Sequence, residues 1–125
     1  MNKPLNILLV DDDPNMQDLF KLVMDHYGID LEIASDQTTA LASLEENTPD
    51  VIVLDIFLPG TDGYTLLRKI RALQPPPQCS FVATTAYYTT DTPAQIQQAG
   101  FDGYLLKPLD TSQLVSYLSN IAHTT

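Results

Sequence analysis

Short apolar runs alternate with segments whose apolar positions recur every three or four residues, and the alternation repeats five times along the chain. That is the pattern of a parallel sheet with helices on both faces. The first strand is predicted at Asn6 to Val10. Its helix follows Asp13-Pro14, an N-cap acid with proline at the first helical position, and carries Met16, Leu19, Phe20, Val23 and Tyr27 on one stripe before Gly28 ends it. A second strand, Leu31 to Ala34, leads to a helix from Asp36 or Gln37 to Glu46 that turns Leu41 and Leu44 inward and stops at Thr48-Pro49. Val51 to Leu54 is apolar without a break, as a central strand buried on both faces should be. The stretch Ile56 to Gly63 is rich in turn residues. Thr61 or Asp62 can cap the third helix, which carries Leu66, Leu67, Ile70 and Leu73. Pro75-Pro76-Pro77 forbids more helix and reads as a stiff spacer. The last two units are a strand at Ser80 to Thr84 with a helix at Pro93 to Ala99 capped by Gly100, and a strand at Gly103 to Leu106 with a helix at Ser112 to Ala122 that faces Leu114, Leu118 and Ile121 inward.

Four of the strands end in polar or charged residues. Leu8-Leu9-Val10 runs into Asp11-Asp12-Asp13, Val51 to Leu54 into Asp55, Phe81-Val82-Ala83 into Thr84-Thr85, and Tyr104-Leu105-Leu106 into Lys107-Pro108. Ligands of open α/β sheets collect outside the carboxyl ends of the strands, so Asp11, Asp12, Asp55, Thr85 and Lys107 should converge there. Three carboxylates held together need a hard, oxygen-seeking cation, which points to Mg²⁺, and no His or Cys stands near enough for a transition metal. A metal-bound carboxylate beside an ammonium and a hydroxyl can act as a nucleophile toward phosphorus. Asp13 is better used as the helix cap than as a ligand. His26 and His123 read as solvated, and neither is expected to carry phosphate.

Composition narrows the classes further. A chain of 125 residues with 44% hydrophobic residues matches one domain, 1–125, with a core of its own. Sixteen acidic residues against six basic give a formal charge of -10, which argues against direct nucleic-acid binding and against anionic membranes. Lys107 is the only Lys or Arg after Arg71. The single cysteine, Cys79, excludes an internal disulfide and reads as a small core or edge residue. Neither a signal-peptide core nor a span of ~20 apolar residues is present, so a cytoplasmic location is expected. Arg68, Lys69 and Arg71 form a basic patch expected to be solvated and to complement the dipole of the third helix.

The motifs together resemble the receiver domain of two-component response regulators, over essentially the whole chain. Leu8 to Pro14 is similar to that family's acidic-pair segment, Val53 to Gly63 to its phosphoacceptor segment, Thr85-Ala86 to its switch hydroxyl, and Ala99 to Pro108 to its fifth-strand signature, with steps of 30 residues from Asp55 to Thr85 and 22 from Thr85 to Lys107. The resemblance implies a flavodoxin-like, doubly wound α/β fold with a five-stranded parallel sheet in the order 2-1-3-4-5 and five helices. It implies that Asp55 accepts a phosphoryl group from a phosphohistidine of a histidine kinase or histidine phosphotransfer protein. Mg²⁺ would be held by Asp11, Asp12, Asp55 and the backbone carbonyl of Phe57, and Lys107 would pair with Asp55 and later with the phosphoryl group across a cis Lys107-Pro108 bond. Thr85 and Tyr104 would form the switch, altering the surface of the fourth helix, fifth strand and fifth helix. That surface would meet a downstream effector the sequence does not name, or a second copy in a homodimer. Such a protein is no enzyme in the ordinary sense, catalysing only its own phosphorylation and dephosphorylation.

Two other classes are weighed by the same residues. A dehalogenase-type phosphotransferase would carry its nucleophile after the first strand with a second Asp two residues on, whereas Asp55 follows the third. A pseudo-receiver that binds partners without phosphorylation is disfavoured by the complete set of Asp11, Asp12, Asp55, Thr85 and Lys107. The chain departs from the commonest form of the family at Phe57 and Tyr87, two residues after Asp55 and Thr85. These large aromatics stand where many receivers carry polar side chains, and they predict hindered access of water to a phosphorylated Asp55.

Overall fold

The computed structural model describes residues 5–122, so His123 lies outside the described residues. Five parallel strands form the main sheet: β1 (Asn6–Val10), β2 (Asp30–Ala34), β3 (Val51–Asp55), β6 (Ser80–Thr85) and β7 (Gly103–Leu106), in the order β2-β1-β3-β6-β7. This is the expected 2-1-3-4-5 order. Between β3 and the third helix the chain adds a small antiparallel hairpin, β4 (Phe57–Leu58) and β5 (Thr61–Asp62), that the turn-rich composition of the segment concealed. The helices are α1 (Pro14–His26), α2 (Gln37–Glu46), α3 (Gly63–Arg71), α4 (Thr92–Ala99) and α5 (Leu114–Ala122).

Side-chain alternation along the strands divides the interior in two. Ile7, Leu9, Val51, Val53 and Val82 pack with α1 and α5, while Leu8, Val10, Ile52, Leu54, Phe81 and Ala83 pack with α2, α3 and α4. Both faces are covered, which is why β3 is buried throughout.

Helix ends follow sequence chemistry. The Asp13, Asp36 and Asp62 carboxylates accept hydrogen bonds from the N–H groups of Asn15, Thr39 and Thr65, capping α1, α2 and α3. Asp62, rather than Thr61, is therefore the α3 cap. Two expectations need correction. Tyr27 is 59% exposed at the C-cap of α1, and Met24 takes the inward place, because Met16, Phe20 and Met24 keep the four-residue step up to the point where the backbone leaves the helix. The last helix begins at Leu114 instead of Ser112, since the Asp110 carboxylate accepts from both the N–H and the hydroxyl of Ser112 and closes a turn there.

The basic patch on α3 is less free than its composition suggested. Lys69 donates to Gln37, and Arg71 Nη2 donates to the Gly100 carbonyl at 2.6 Å while its guanidinium lies 4.9 Å from the centre of the Phe81 ring. Gly100, in the left-handed conformation at φ 103°, closes α4 at that contact.

Gly63 opens α3 against the end of β3. A Cβ there would sit 2.7 Å from the Asp55 carbonyl oxygen and 3.0 Å from Ile56 Cα. Alanine in place of glycine ordinarily favours a helix, but here it meets backbone that cannot swing away. Gly63→Ala is accordingly expected to cost about 2 kcal/mol of stability in urea unfolding, despite the helix propensity it gains. A stabilised variant would show that the approach is not tight.

Candidate functional site

Four of the five residues picked out at the strand ends, Asp11, Asp12, Asp55 and Lys107, meet at the carboxyl edge of the sheet. Lys107 Nζ lies 3.0 Å from Asp11 Oδ2 and 3.0 Å from Asp55 Oδ2. The contact to Asp55 is a hydrogen bond, whereas the one to Asp11 is an ion pair outside hydrogen-bonding angles, so Asp11 Oδ2 is buried without a hydrogen-bond partner. The remaining oxygens are held by local backbone, with the Asp13 N–H donating to Asp11 Oδ1 at 2.9 Å and the Phe57 N–H to Asp55 Oδ1 at 3.0 Å. The Asp11 N–H donates to the Ala34 carbonyl and the Lys107 N–H to the Thr85 carbonyl, extending the ladders of the sheet into the site and fixing which way these side chains leave it. The Lys107-Pro108 peptide is cis, as the resemblance implied, and Gln74-Pro75 in the proline run is cis as well.

Burial and charge set the titration of this cluster. Desolvation raises the pKa of Asp11 above its ordinary value; the Asp13 N–H and Lys107 work against the rise, and the Asp55 charge adds to it. For Lys107, burial disfavours the charge, but the two carboxylates beside it prevail and hold its pKa above the ordinary lysine value.

Asp12 is exposed and completes the acidic group. One carboxylate oxygen each from Asp11, Asp12 and Asp55 lies within 4.8 Å of the others. An all-oxygen set with one buried oxygen lacking a hydrogen bond suits a hard divalent cation such as Mg²⁺.

Thr85 and Tyr104 belong to the other face of the sheet. Thr85 is buried, and its hydroxyl accepts from the Tyr87 N–H and donates to the Tyr87 carbonyl, both at 3.0 Å. Tyr104 is half-buried with its ring stacked on Tyr88, and its N–H donates to the Tyr117 hydroxyl at 2.9 Å. Phe57 and Tyr87 project outward, 56% and 72% exposed, and touch edge to face with ring centres 5.0 Å apart. They border a groove of 330 Å³ that also contains Thr85. Sequence reasoning foresaw both aromatics but not their contact, which joins the β4–β5 hairpin to the loop after β6.

Residues outside the site take the quieter roles expected of them. Cys79 is half-buried, and burial, with Asp102 adding to it, pushes its thiol up to about 12, so it is no nucleophile. His26 is exposed and lies edge to face against Tyr27. Among the described residues no helix is long and apolar enough to cross a membrane.

A covered parallel sheet in this order, with two aspartates and a lysine in contact at its carboxyl edge, defines a class of signalling domain, and comparison with known proteins agrees. The family model for the response regulator receiver domain matches residues 7–119, and the chain belongs to that family. Receiver domains of two-component response regulators serve phosphorylation-activated signalling. Over 123 residues the chain is 34% identical to the transcriptional regulatory protein TrcR of Mycobacterium tuberculosis, a match that covers 94% of this chain and 45% of that protein. The chain thus spans about half the length of such relatives. A two-component response regulator from Clostridium difficile superposes with a TM-score of 0.85 at 29% identity, covering 94% of each chain. The receiver domain of a sensor histidine kinase from Pseudomonas aeruginosa, whose crystal structure has a magnesium ion coordinated in the active-site cleft, gives 0.83 at 30% identity and covers 96% of this chain and 98% of that one.

Proposed function

We propose that this domain is a cytoplasmic phosphorylation switch that takes a phosphoryl group onto Asp55 from a phosphohistidine of a histidine kinase or histidine phosphotransfer protein. The observation that carries this reading is the Lys107 ammonium, 3.0 Å from both Asp11 and Asp55 beside three clustered carboxylates. In the transfer, an Asp55 carboxylate oxygen attacks phosphorus and forms the O–P bond. The P–N bond to the donor imidazole breaks, and its electron pair stays on the ring nitrogen. Asp11, Asp12, Asp55 and the Phe57 carbonyl would hold Mg²⁺, which supplies charge neutralisation for the phosphoryl oxygens. Lys107, already in contact with Asp55, then has the new anion within reach.

The signal would leave through Thr85. Its hydroxyl is bonded in both directions to the Tyr87 backbone, so turning it toward a phosphoryl oxygen would release that backbone, and Tyr104 would fill the space on that face of the sheet. The surface of α4, β7 and α5 would change accordingly and meet the downstream effector or a second copy of the domain. The chain acts on no substrate but itself, catalysing only its own phosphorylation and dephosphorylation. With a formal charge of -10 it is not expected to touch nucleic acid or membrane directly.

Intact-mass measurement with acetyl phosphate tests the reading. The expected result is a single adduct of about 80 Da, one phosphoryl group, that forms with Mg²⁺ and is suppressed by excess EDTA. A folded protein that takes up nothing would make it a pseudo-receiver.

The aromatic pair predicts a long-lived product. Phe57 and Tyr87, whose rings touch each other, would flank the in-line path of water to a phosphorylated Asp55. Replacing them with Asn and Lys is expected to speed spontaneous loss of phosphate by about tenfold, equivalent to ~1.4 kcal/mol in the barrier. Equal decay in Mg²⁺ buffer after removal of the donor would mean that these rings do not gate water.

A further inference from the structure

Two side-chain polar atoms among the described residues are buried without a hydrogen-bond partner; one belongs to an ion-pair partner of Lys107, and the other lies on the strand next to the one Lys107 follows. One is Asp11 Oδ2, the ion-pair partner already described. The other is Thr84 Oγ1, on a threonine with no exposed surface. Thr84 is the register partner of Asp55 on one side and of Leu105 on the other. Adjacent in-register residues of a parallel sheet point to the same face, so Thr84 shares the α1/α5 face with Asp55, Leu105 and, two positions on, Lys107. Thr85 takes the opposite face.

Lys107 follows β7 and Asp55 ends β3, with β6 between them. To reach Asp55 the lysine side chain crosses two strand spacings of about 4.8 Å each, and the β6 residue beneath that path on the same face is Thr84. An ammonium has three N–H donors and no acceptor. Here one is bonded to Asp55, and the approach to Asp11 lies outside hydrogen-bonding angles. Leaving a buried hydroxyl unpaired is unfavourable, and valine would fill the same volume without that cost.

We propose that Thr84 is a positioning residue for Lys107: its hydroxyl accepts an ammonium N–H once the carboxylates turn toward a cation, and so keeps the lysine over the acceptor carboxylate. An uncharged acceptor suits that state, because it holds the ammonium without adding a fourth negative charge to the three carboxylates. The inference rests on Asp55 as phosphoacceptor, but its test does not depend on that alone.

Thr84→Val and Thr84→Ser would be compared with the wild-type chain in three measurements. In EDTA, Thr84→Val is expected to melt at or above the wild-type temperature, showing an intact fold. With acetyl phosphate and saturating Mg²⁺, its maximal labelling rate is expected to fall about tenfold, as for loss of one charge-assisted hydrogen bond at the reacting group, with little change in the donor concentration giving half-maximal rate. Thr84→Ser should restore the rate. Nitrogen-15 NMR of the lysine ammonium groups, with Mg²⁺ and no phosphodonor, should show faster exchange of the Lys107 Nζ protons in Thr84→Val than in the wild type or Thr84→Ser. Unchanged ammonium exchange in Thr84→Val overturns the proposal even if no variant can be labelled. Normal labelling of Thr84→Val also overturns it, as does a Thr84→Ser variant as slow as the valine one, which would assign the effect to packing. Failure of the wild type to be labelled counts instead against Asp55 as acceptor.

Discussion

Asp55→Asn is expected to leave the domain folded and to abolish the phosphoryl adduct. The amide keeps the shape of the carboxylate, and its oxygen can still accept the Phe57 N–H bond that holds the side chain in place. It has no anionic oxygen to attack phosphorus, and an amide is a far poorer nucleophile. The electrostatic change favours the fold rather than harming it. Two carboxylates now share one ammonium, and the Asp55 charge is among the causes that raise the pKa of Asp11. Removing that charge leaves Asp11 and Lys107 as a neutral pair, so the apo protein should unfold at the same urea concentration as the wild type or higher. An adduct that persists in Asp55→Asn, located by peptide mapping, would falsify the assignment.

Lys107→Met should have the opposite balance. The methionine preserves most of the stem, but it removes the cation from a carboxylate that is fully buried and from another that is nearly so. Breaking such a pair from one side leaves uncompensated charge, and a loss of about 3 kcal/mol at neutral pH is expected, the low end for buried pairs because Lys107 itself reaches solvent. The loss should shrink in acid. The folded-state pKa of Asp11 lies above its ordinary 3.8, so the native state binds a proton that the unfolded chain has released, and stability from this group falls as pH rises through the window between those values. Without Lys107 that window widens upward, and acid should rescue the variant. In the wild type the lysine's own contribution is complete below 10.5 and is lost only as pH rises through its raised folded-state value. Urea midpoints for both proteins across pH check this; a deficit in Lys107→Met that grows on acidification would contradict it.

Much of this site was legible before any coordinates because it is written at strand ends, where apolar runs stop abruptly. Asp11, Asp12, Asp55 and Lys107 each announce themselves by following such a run, and the parallel order of the sheet does the rest. What the chain hid depends on register or on long-range meetings. Thr84 and Thr85 look equivalent as letters, yet one faces α1 and α5 and the other faces α3 and α4, because a single step along a strand reverses the side. The β4–β5 hairpin is only two residues deep and has no alternating pattern to reveal it. Arg71 looked like one member of a charged cluster, and its partner is a carbonyl 29 residues away, exposed by the left-handed turn at Gly100.

That last contact gives α4 a fulcrum. The helix is pinned at its C-terminal end by the Arg71 guanidinium, itself braced on Phe81, whereas at its N-terminal end Asp91 makes no side-chain cap and the Thr92 hydroxyl accepts from the Thr89 N–H of the preceding loop. A rod of eight residues held this way would pivot on that end in preference to sliding. A shift of the Tyr87–Asp91 loop would be carried as an arc whose amplitude is greatest beside the site and vanishes at Gly100, so the far end of the rod stays in register with α3 while the near end turns.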